Sequence, residues 1–125
     1  NVEIVRYLDG DLPIIKMDKQ TLQAALQNMV KNSMEAMSDG GQLVVRTRMM
    51  RSGVAVDLID TGQGIGSSTL IKMFEPFYTT KDSGSGLGLP MAKKVIEAHG
   101  GVINVQSEEG RGTQFTIEFP IPKRL

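Results

Sequence analysis

Two amphipathic helix patterns, each flanked by strand patterns, constrain the fold of this chain most strongly. The first begins after Asp18, a typical N-cap residue, and repeats apolar side chains at helical spacing as far as the turn signal Asp39-Gly40-Gly41. The second covers residues 87–99 and should end at Gly100-Gly101. Strands are predicted for residues 2–8, 14–17, 42–51, 54–60, 102–107 and 113–121, and a short helix for residues 70–74.

The later strand patterns come in adjacent pairs, which favours hairpins over crossover connections. Segments 42–51 and 54–60 are separated by a Ser52-Gly53 turn, and the last two strands by residues 108–112. A doubly wound parallel sheet is therefore disfavoured. We expect an α+β fold of two layers, in which a mixed, mostly antiparallel sheet of about five strands carries about three helices on one face. The length of 125 residues fits a single domain over residues 1–125.

Composition excludes several classes of function. The chain has 14 basic and 14 acidic side chains, so no field of one sign favours binding to nucleic acid. It has no cysteine and one histidine, which excludes thiol catalysis, cysteine-based zinc sites and His-rich metal sites. No apolar run approaches the roughly 18 residues that a membrane helix needs. Because the sequence starts at Asn1 and carries no recognisable signal peptide, we expect a cytoplasmic domain from a longer chain.

A polar seam runs along one border of the first helix. On a helical wheel, Asn28 and Asn32 lie one turn apart beside the apolar stripe. Thr21 and Glu35 are close by, whereas Lys31 points away from the core. Asparagine is a poor helix former, and its amide oxygen is a hard ligand that suits Mg²⁺. Taken alone, the pair is explained slightly better by a helix that simply needs polar flanks.

An aspartate ends the segment 54–60. Residues 54, 56, 58 and 60 share one face, three of them are apolar, and Asp60 continues this face at the strand's carboxyl end. The glycine-rich turn Gly62-Gln63-Gly64-Ile65-Gly66 follows, and it lets the backbone approach a ligand closely. A carboxylate in this position needs donors. Asp60 either accepts from a ligand's amino group or is a turn aspartate bonded by the following amides.

A second glycine-rich segment opens the second long helix. Gly84-Ser85-Gly86-Leu87-Gly88-Leu89 precedes Pro90, which fits a first helical turn. Free N–H groups and the positive end of the helix dipole favour a phosphate there. The segment lacks the ending of a Walker A motif and the preceding strand-to-helix turn of a dinucleotide fingerprint. A flexible linker is the competing explanation, although linkers seldom open an amphipathic helix.

Taken together and in this order, these segments resemble the ATP-binding domain of sensor histidine kinases, within the larger family shared with gyrase, Hsp90 and MutL. Residues 26–36 resemble its N box, 60–65 its G1 box, 74–81 its F box, 84–89 its G2 box and 110–115 its final turn and strand. The match covers nearly the whole chain, and the F-box form and short lid are similar to the nitrogen-regulation type of sensor kinase. The resemblance implies the Bergerat-type ATP-binding fold, with ATP and Mg²⁺ as ligands.

The resemblance also implies roles for individual residues. Asp60 would accept a hydrogen bond from the adenine amino group, and Thr113 would help hold a water that bridges Asp60 to the ring. Asn32 would bind Mg²⁺, Asn28 would contact the ion's waters or the phosphates, and Lys31 matches a basic residue beside the phosphates. Asn28, Lys31 and Asn32 are thus the predicted catalytic residues. The other predicted nucleotide-binding residues are Gly62, Gly64, Ile65, Phe77, Thr80, Lys81, Gly84, Ser85, Gly86, Leu87, Gly88 and Leu89.

Two departures from the family pattern narrow the expected function. Asn28 stands where the ATPase branches and the anti-sigma serine kinases have a glutamate base, and an amide cannot take up a proton at neutral pH. A kinase is therefore favoured over an ATPase. Ala36 stands where some relatives have an aromatic residue, so stacking on adenine is expected to be weaker.

The resemblance implies that the γ-phosphate goes to a histidine on a separate upstream dimerisation domain, in two-component signalling that leads to a response regulator. His99, at a helix end, is expected to cap carbonyl groups rather than to accept phosphate. The isolated chain should be monomeric, bind ATP and turn it over poorly, because the acceptor is missing. An anti-sigma-type serine kinase and a nucleotide-dependent interaction module are the alternatives.

Overall fold

Five strands and three helices make up the described part of the chain, which covers residues 2–12, 17–75 and 88–121 of a computed structural model. The strand predicted at 14–17 falls mainly outside this part. In chain order the elements are β1 (Val2–Tyr7), α1 (Lys19–Glu35), β2 (Gly41–Met49), β3 (Gly53–Asp60), α2 (Ser67–Lys72), α3 (Gly88–Ala98), β4 (Val102–Glu108) and β5 (Gly112–Pro120).

The strands form one sheet in the order β1-β2-β3-β5-β4. β1 lies parallel to β2, and the other neighbouring pairs are antiparallel. β2 and β3 form the expected hairpin, in which the Met50 N–H donates to the Gly53 carbonyl at 2.8 Å. β4 and β5 form the second hairpin. The predicted mixed, mostly antiparallel sheet is confirmed.

One face of the sheet carries the helices and the core. Alternate residues of the central strands point to this face, and Leu43, Leu58 and Phe115 are buried there. Met29 of α1 and Ile96 of α3 are buried in the same cluster. Burial of an apolar side chain of this size stabilises the fold by roughly 1.5–3 kcal/mol, so these contacts hold both long helices on the sheet. The predicted two-layer α+β architecture is confirmed.

The ends of the long helices follow local sequence signals. Asp18 caps α1, because its Oδ1 accepts from two first-turn N–H groups at 3.1 and 3.3 Å. α3 is followed by Gly100, whose φ of 76° is the left-handed conformation that glycine adopts easily, and the Gly101 N–H donates to the Ile96 carbonyl. The start of α1 and the end of α3 agree with the prediction. α1 itself ends at Glu35, before the predicted stop at Asp39-Gly40-Gly41. No helix in the described ranges is long and apolar enough to cross a membrane.

The short helix α2 begins earlier than the sequence pattern indicated. The prediction covered residues 70–74, whereas the helix covers Ser67–Lys72. The Gly66 carbonyl accepts from the Leu70 N–H at 2.9 Å, so the first turn starts directly after the glycine-rich segment. Leu70 and Phe74, which suggested the later start, pack against the core from the end of this helix and just beyond it.

The opposite face of the sheet holds a buried ion cluster. Asp57 of β3 is 0% exposed, and its carboxylate accepts from Arg46 Nε at 2.9 Å, Arg48 Nε at 2.8 Å and Thr116 Oγ1 at 2.8 Å. Burial alone would raise the pKa of Asp57, but hydrogen bonds from Arg48, Arg46 and Thr116 outweigh burial and lower this pKa to about 2. The cluster joins the three central strands on the face away from the helices.

Candidate functional site

Three polar side chains form a row across three neighbouring strands. Asp60 ends β3 and is the register partner of Thr113 in β5, which in turn is the partner of Ser107 in β4. Asp60 is 4% exposed and Thr113 is 5% exposed, so both lie buried at the rim of the apolar layer. Side chains of register partners have their Cβ atoms roughly 4.5–5.5 Å apart, so one small polar group can contact both.

The Asp60 carboxylate takes part in the turn that follows it. Its Oδ1 accepts from the Gly62 N–H at 2.9 Å. This is the local bond expected of a turn aspartate. It involves one of two carboxylate oxygens, each of which can accept more than one hydrogen bond. The turn bond therefore orients the carboxylate without exhausting its capacity to accept from a ligand.

The glycine-rich turn lies between the end of α1 and the β4–β5 connection. The Gln63 N–H donates to the Ala36 carbonyl at 3.2 Å, and the Gln63 carbonyl accepts from the β4–β5 turn at 2.7 Å. A Cβ on Gly62 would lie 2.7 Å from the Ala36 carbonyl oxygen, and one on Gly64, whose φ is 73°, would collide with the Glu108 carbonyl. Both positions therefore require glycine.

Ser107 joins this turn to β5. Its Oγ accepts from the Ile65 N–H at 2.7 Å and lies 2.9 Å from the Gly112 carbonyl oxygen and 2.8 Å from Thr113 Oγ1. The sequence singled out Ile65 and Thr113 but missed Ser107, because a serine within a strand pattern carries no signal of its own. Only the β4–β5 register, which pairs Ser107 with Thr113, could have indicated it.

Asn28, in the polar seam of α1, lies beside the start of α3. Gly88 comes so close to Asn28 that a Cβ there would lie 3.8 Å from the amide oxygen. At the other end of the helix pair, the Asp18 N–H donates to His99 Nε2 at 3.0 Å, so the two helices run antiparallel. Asn28 and Asn32 are half-buried. The structure thus brings Gly88 and Asn28 together, with Asn32 one turn further along α1.

His99 connects the far ends of the same two helices. Its Nδ1 lies 2.8 Å from the Val95 carbonyl oxygen, and its Nε2 accepts from the Asp18 N–H. A neutral ring with its proton on Nδ1 satisfies both contacts. The predicted capping role is confirmed, and the bond to the first residues of α1 is a contact that the sequence did not indicate.

Lys31 follows Asn28 by three residues on α1. It is exposed and lines an outward groove together with Gln27 and Met34. Residues three apart are neighbours on a helix surface, and the place of Lys31 beside the phosphates stays a prediction. The helical wheel predicted this outward direction, whereas the family resemblance suggested a place beside the phosphates.

Part of the predicted site lies outside the described residues, so those roles stay predictions. Leu89, by contrast, packs against the core in the first turn of α3, which Gly88 begins. The predicted site residues outside the described ranges are Phe77, Thr80, Lys81, Gly84, Ser85, Gly86 and Leu87.

A metal ion at the seam would depend on amide oxygens. Within the described ranges, no group of three His, Cys, Asp or Glu side chains could hold an ion. Asn28 and Asn32 offer neutral, hard oxygen donors, which fit Mg²⁺ when phosphate oxygens and water complete its coordination. The donor set is thus compatible with a magnesium ion that arrives with a polyphosphate.

Known proteins are similar to this chain in sequence. A family model described as "Histidine kinase-, DNA gyrase B-, and HSP90-like ATPase" matches residues 17–123. Sporulation kinase E of Bacillus subtilis (strain 168) is 41% identical over 122 residues, which are 97% of this chain and 16% of that protein. The sensor histidine kinase ZraS of Escherichia coli (strain K12) is 37% identical over 118 residues, 94% of this chain and 25% of that protein. The chain thus spans a quarter or less of these two relatives.

Solved structures agree with the fold. The nucleotide-free catalytic domain of histidine kinase ThkA superposes with a TM-score of 0.83 at 33% identity, over 95% of this chain and 78% of that one. Full-length ShkA in complex with AMPPNP superposes with a TM-score of 0.84 at 30% identity, over 95% of this chain and 25% of that one.

Proposed function

The chain belongs to the family of histidine kinase-, DNA gyrase B- and HSP90-like ATPases and its relatives include sensor histidine kinases, and we propose that it is the ATP-binding catalytic domain of such a kinase. It binds ATP with Mg²⁺ and donates the γ-phosphate to a histidine on a separate dimerisation domain, in two-component signal transduction. The observation that carries this proposal is the buried pair of Asp60 and Thr113 beside a turn that requires glycine.

The base is recognised by hydrogen-bond acceptors. Asp60 accepts from the amino group of adenine, and Thr113 contacts a water beside the ring. Guanine would turn a carbonyl toward the carboxylate, and such an unpaired buried polar group costs roughly 1–3 kcal/mol. Adenine is therefore preferred over guanine by about tenfold or more. The AMPPNP bound by ShkA, an analogue of ATP, supports an adenine nucleotide as the ligand of this fold.

The phosphates lie between the two long helices. Asn28 and Asn32 hold the metal ion and its waters from the side of α1, and the N-terminal N–H groups of α3, which begin at Gly88, face the phosphates. When bound, Mg²⁺ neutralises phosphate charge and helps to orient the terminal phosphate for transfer. The glycine-rich segment before α3 covers the phosphates in this proposal.

No general base is needed at Asn28. An amide cannot accept a proton at neutral pH, so this residue cannot activate water. The acceptor histidine brings its own nitrogen lone pair, which forms the new N–P bond as the bond between the γ-phosphorus and the bridging oxygen breaks and ADP leaves. Positioning supplies most of the catalysis in such a transfer, so the domain without its acceptor turns ATP over slowly.

Residues 1–125 act as a single, monomeric domain whose partners are ATP, ADP and the kinase's own dimerisation domain, and a response regulator receives the phosphate afterwards. The domain works in the cytoplasm, where ATP is available. Nucleic acid is not among these partners, since the balanced net charge does not favour it.

Transfer in trans tests this function. The acceptor domain of the full-length kinase is mixed with the chain and γ-labelled ATP, and the product is treated with acid and with alkali. We expect phosphate that is labile in acid and attached to histidine. Phosphate on serine would indicate the anti-sigma type of kinase instead. Absence of transfer by a chain that binds Mg²⁺-ATP would contradict the kinase activity.

A further inference from the structure

The Ser107 hydroxyl has three polar neighbours that belong to different parts of the site. The Ile65 nitrogen, in the glycine-rich turn, lies 2.7 Å from Ser107 Oγ. The carbonyl oxygen of Gly112, at the start of β5, lies 2.9 Å from it, and Thr113 Oγ1 lies 2.8 Å from it. Ser107 is half-buried in β4. These contacts connect the side chain of Thr113, the register partner of Asp60, with the backbone of the glycine-rich turn.

Only one arrangement of protons satisfies all three contacts. A serine hydroxyl has one proton and two lone pairs. Ser107 accepts from Ile65, whose N–H can only donate, and it donates to the Gly112 carbonyl, which can only accept. The remaining lone pair of Ser107 faces Thr113, so the Thr113 hydroxyl must donate its single proton to Ser107.

Thr113 is thereby turned into an acceptor toward the ligand. Its proton is directed at β4, so only lone pairs of its oxygen can face the rim between β5 and β3. Its register partner on that side is Asp60, whose carboxylate also accepts. Both buried side chains at this rim therefore require a donor from whatever binds there.

We infer that Ser107 is a specificity-determining residue, which selects purines with a 6-amino group by fixing the direction of the Thr113 hydroxyl. The inference rests on the proposed function, because it concerns the base of the bound nucleotide. Ser107 does not contact the base itself; it acts through Thr113 and is therefore a positioning residue.

The hydrogen-bonding pattern of the purine explains the selection. The adenine amino group donates to Asp60, and a water that donates one proton to Thr113 can donate its other proton to the ring nitrogen N1. In a 6-oxo purine the carbonyl faces Asp60, and N1 carries a proton. Without Ser107, the Thr113 hydroxyl is able to rotate and donate to the water, which then accepts from the N1 proton. Removal of Ser107 should therefore favour the 6-oxo base relative to adenine.

The test compares ATP with inosine triphosphate, which differs from ATP only along this edge of the base. Dissociation constants of both nucleotides with Mg²⁺ are measured for the wild type, Ser107→Ala, Ser107→Thr and the control Ser52→Ala in the exposed β2–β3 turn. We expect Ser107→Ala to reduce the preference for ATP over inosine triphosphate by about three- to tenfold, which corresponds to the free energy of one neutral hydrogen bond. Ser107→Thr keeps the hydroxyl and should restore the preference, and Ser52→Ala should match the wild type.

The ratio of the two affinities separates specificity from a structural role. If Ser107→Ala weakens both nucleotides equally and leaves the ratio unchanged, the inference is wrong. Should Ser107→Ala unfold at the assay temperature, Ser107→Cys replaces it, because a thiol is a weak hydrogen-bonding group of similar size, and the same change of ratio is expected. A wild type that binds neither nucleotide would overturn the proposed function and this inference with it, whereas normal ATP binding with an unchanged ratio overturns the inference alone.

Discussion

Asp60 and Thr113 are register partners on antiparallel strands, and both side chains are buried at the rim of the sheet, 4% and 5% exposed. One ends the strand before the glycine-rich turn, and the other lies at the start of the last strand. Because side chains alternate between the two faces of a strand, a slip of one residue in the β3–β5 register would turn one of them to the opposite face. The pairing of Asp60 with Thr113 therefore depends on the register of the sheet.

Alanine at Gly64 should destabilise the fold and weaken nucleotide binding together. Gly64 has a φ of 73°, and a Cβ would collide with the Glu108 carbonyl. We expect Gly64→Ala to lower the free energy of unfolding by about 1–3 kcal/mol, measured by urea titration, and to weaken ATP in a binding assay.

Gly10 offers a matched control for this substitution, since a Cβ there would meet nothing within 4 Å. Gly10→Ala should stay within about 0.5 kcal/mol of the wild type. Equal stabilities of Gly64→Ala and Gly10→Ala would contradict the packing described for the turn.

The Asp57 cluster should make stability depend on acidic pH. The pKa of this carboxyl falls from 3.8 to about 2 on folding. A carboxyl with a depressed pKa stabilises the folded state fully above its unfolded pKa, and this contribution is lost as the pH falls from about 4 to about 2. We expect Asp57→Asn to lose roughly 2 kcal/mol of stability at pH 7, and the difference from the wild type to shrink toward pH 2.

Urea unfolding of both proteins between pH 2 and pH 7 measures this difference. A difference that does not change with pH would contradict the ionic role of Asp57. ATP affinity serves as the control, because Asp57 lies on the sheet face opposite Asp60, and the variant should bind ATP as the wild type does.

How much of this molecule could be predicted from its sequence depends on how local the signals are. Asp18 as N-cap, Gly100-Gly101 as helix end and Asp60 on the core face of its strand were all predicted correctly, because neighbouring residues determine them. Arg46 and Asp57 gave no comparable signal. Their pairing depends on which residues the β2–β3 hairpin sets opposite each other.

The same limit explains which residues of the site the sequence indicated and which it missed. The sequence indicated Ile65 and Thr113 through motifs, but Ser107 joins them through the β4–β5 register and the glycine-rich turn, which no local pattern describes. Lys31 is a separate case: the helical wheel gave its outward direction correctly, and the role that the family motif suggested for it stays a prediction. The nitrogen-regulation subtype stays a prediction.

His99 should stabilise the antiparallel helix pair through two separable bonds. The asparagine amide in His99→Asn can still donate to the Val95 carbonyl, and the longer glutamine amide in His99→Gln can still accept from the Asp18 N–H. We expect His99→Ala to lose about 1–3 kcal/mol and each amide variant about half of that loss, as measured by thermal or urea unfolding. An alanine variant as stable as the wild type would contradict a stabilising role for the contacts of His99.

Asn32 should affect nucleotide binding only when magnesium is present. Because its amide oxygen is the proposed ligand of the ion, we expect Asn32→Ala to weaken ATP with Mg²⁺ by about tenfold or more and to change ATP binding in EDTA by less than about twofold. Gln27→Ala, on the outward groove of the same helix, is the control. Equal losses with and without the ion would argue against metal binding by Asn32.

Calorimetric titration of ATP into the wild type and Asp60→Asn tests most directly whether Asp60 accepts a hydrogen bond from the amino group of adenine. Thermal unfolding of both proteins establishes that the variant is folded. We predict that the wild type binds ATP with a dissociation constant below about 1 mM and that folded Asp60→Asn binds it about tenfold or more weakly. A wild type that does not bind ATP at millimolar concentration, or a folded variant that binds it equally well, would contradict the account.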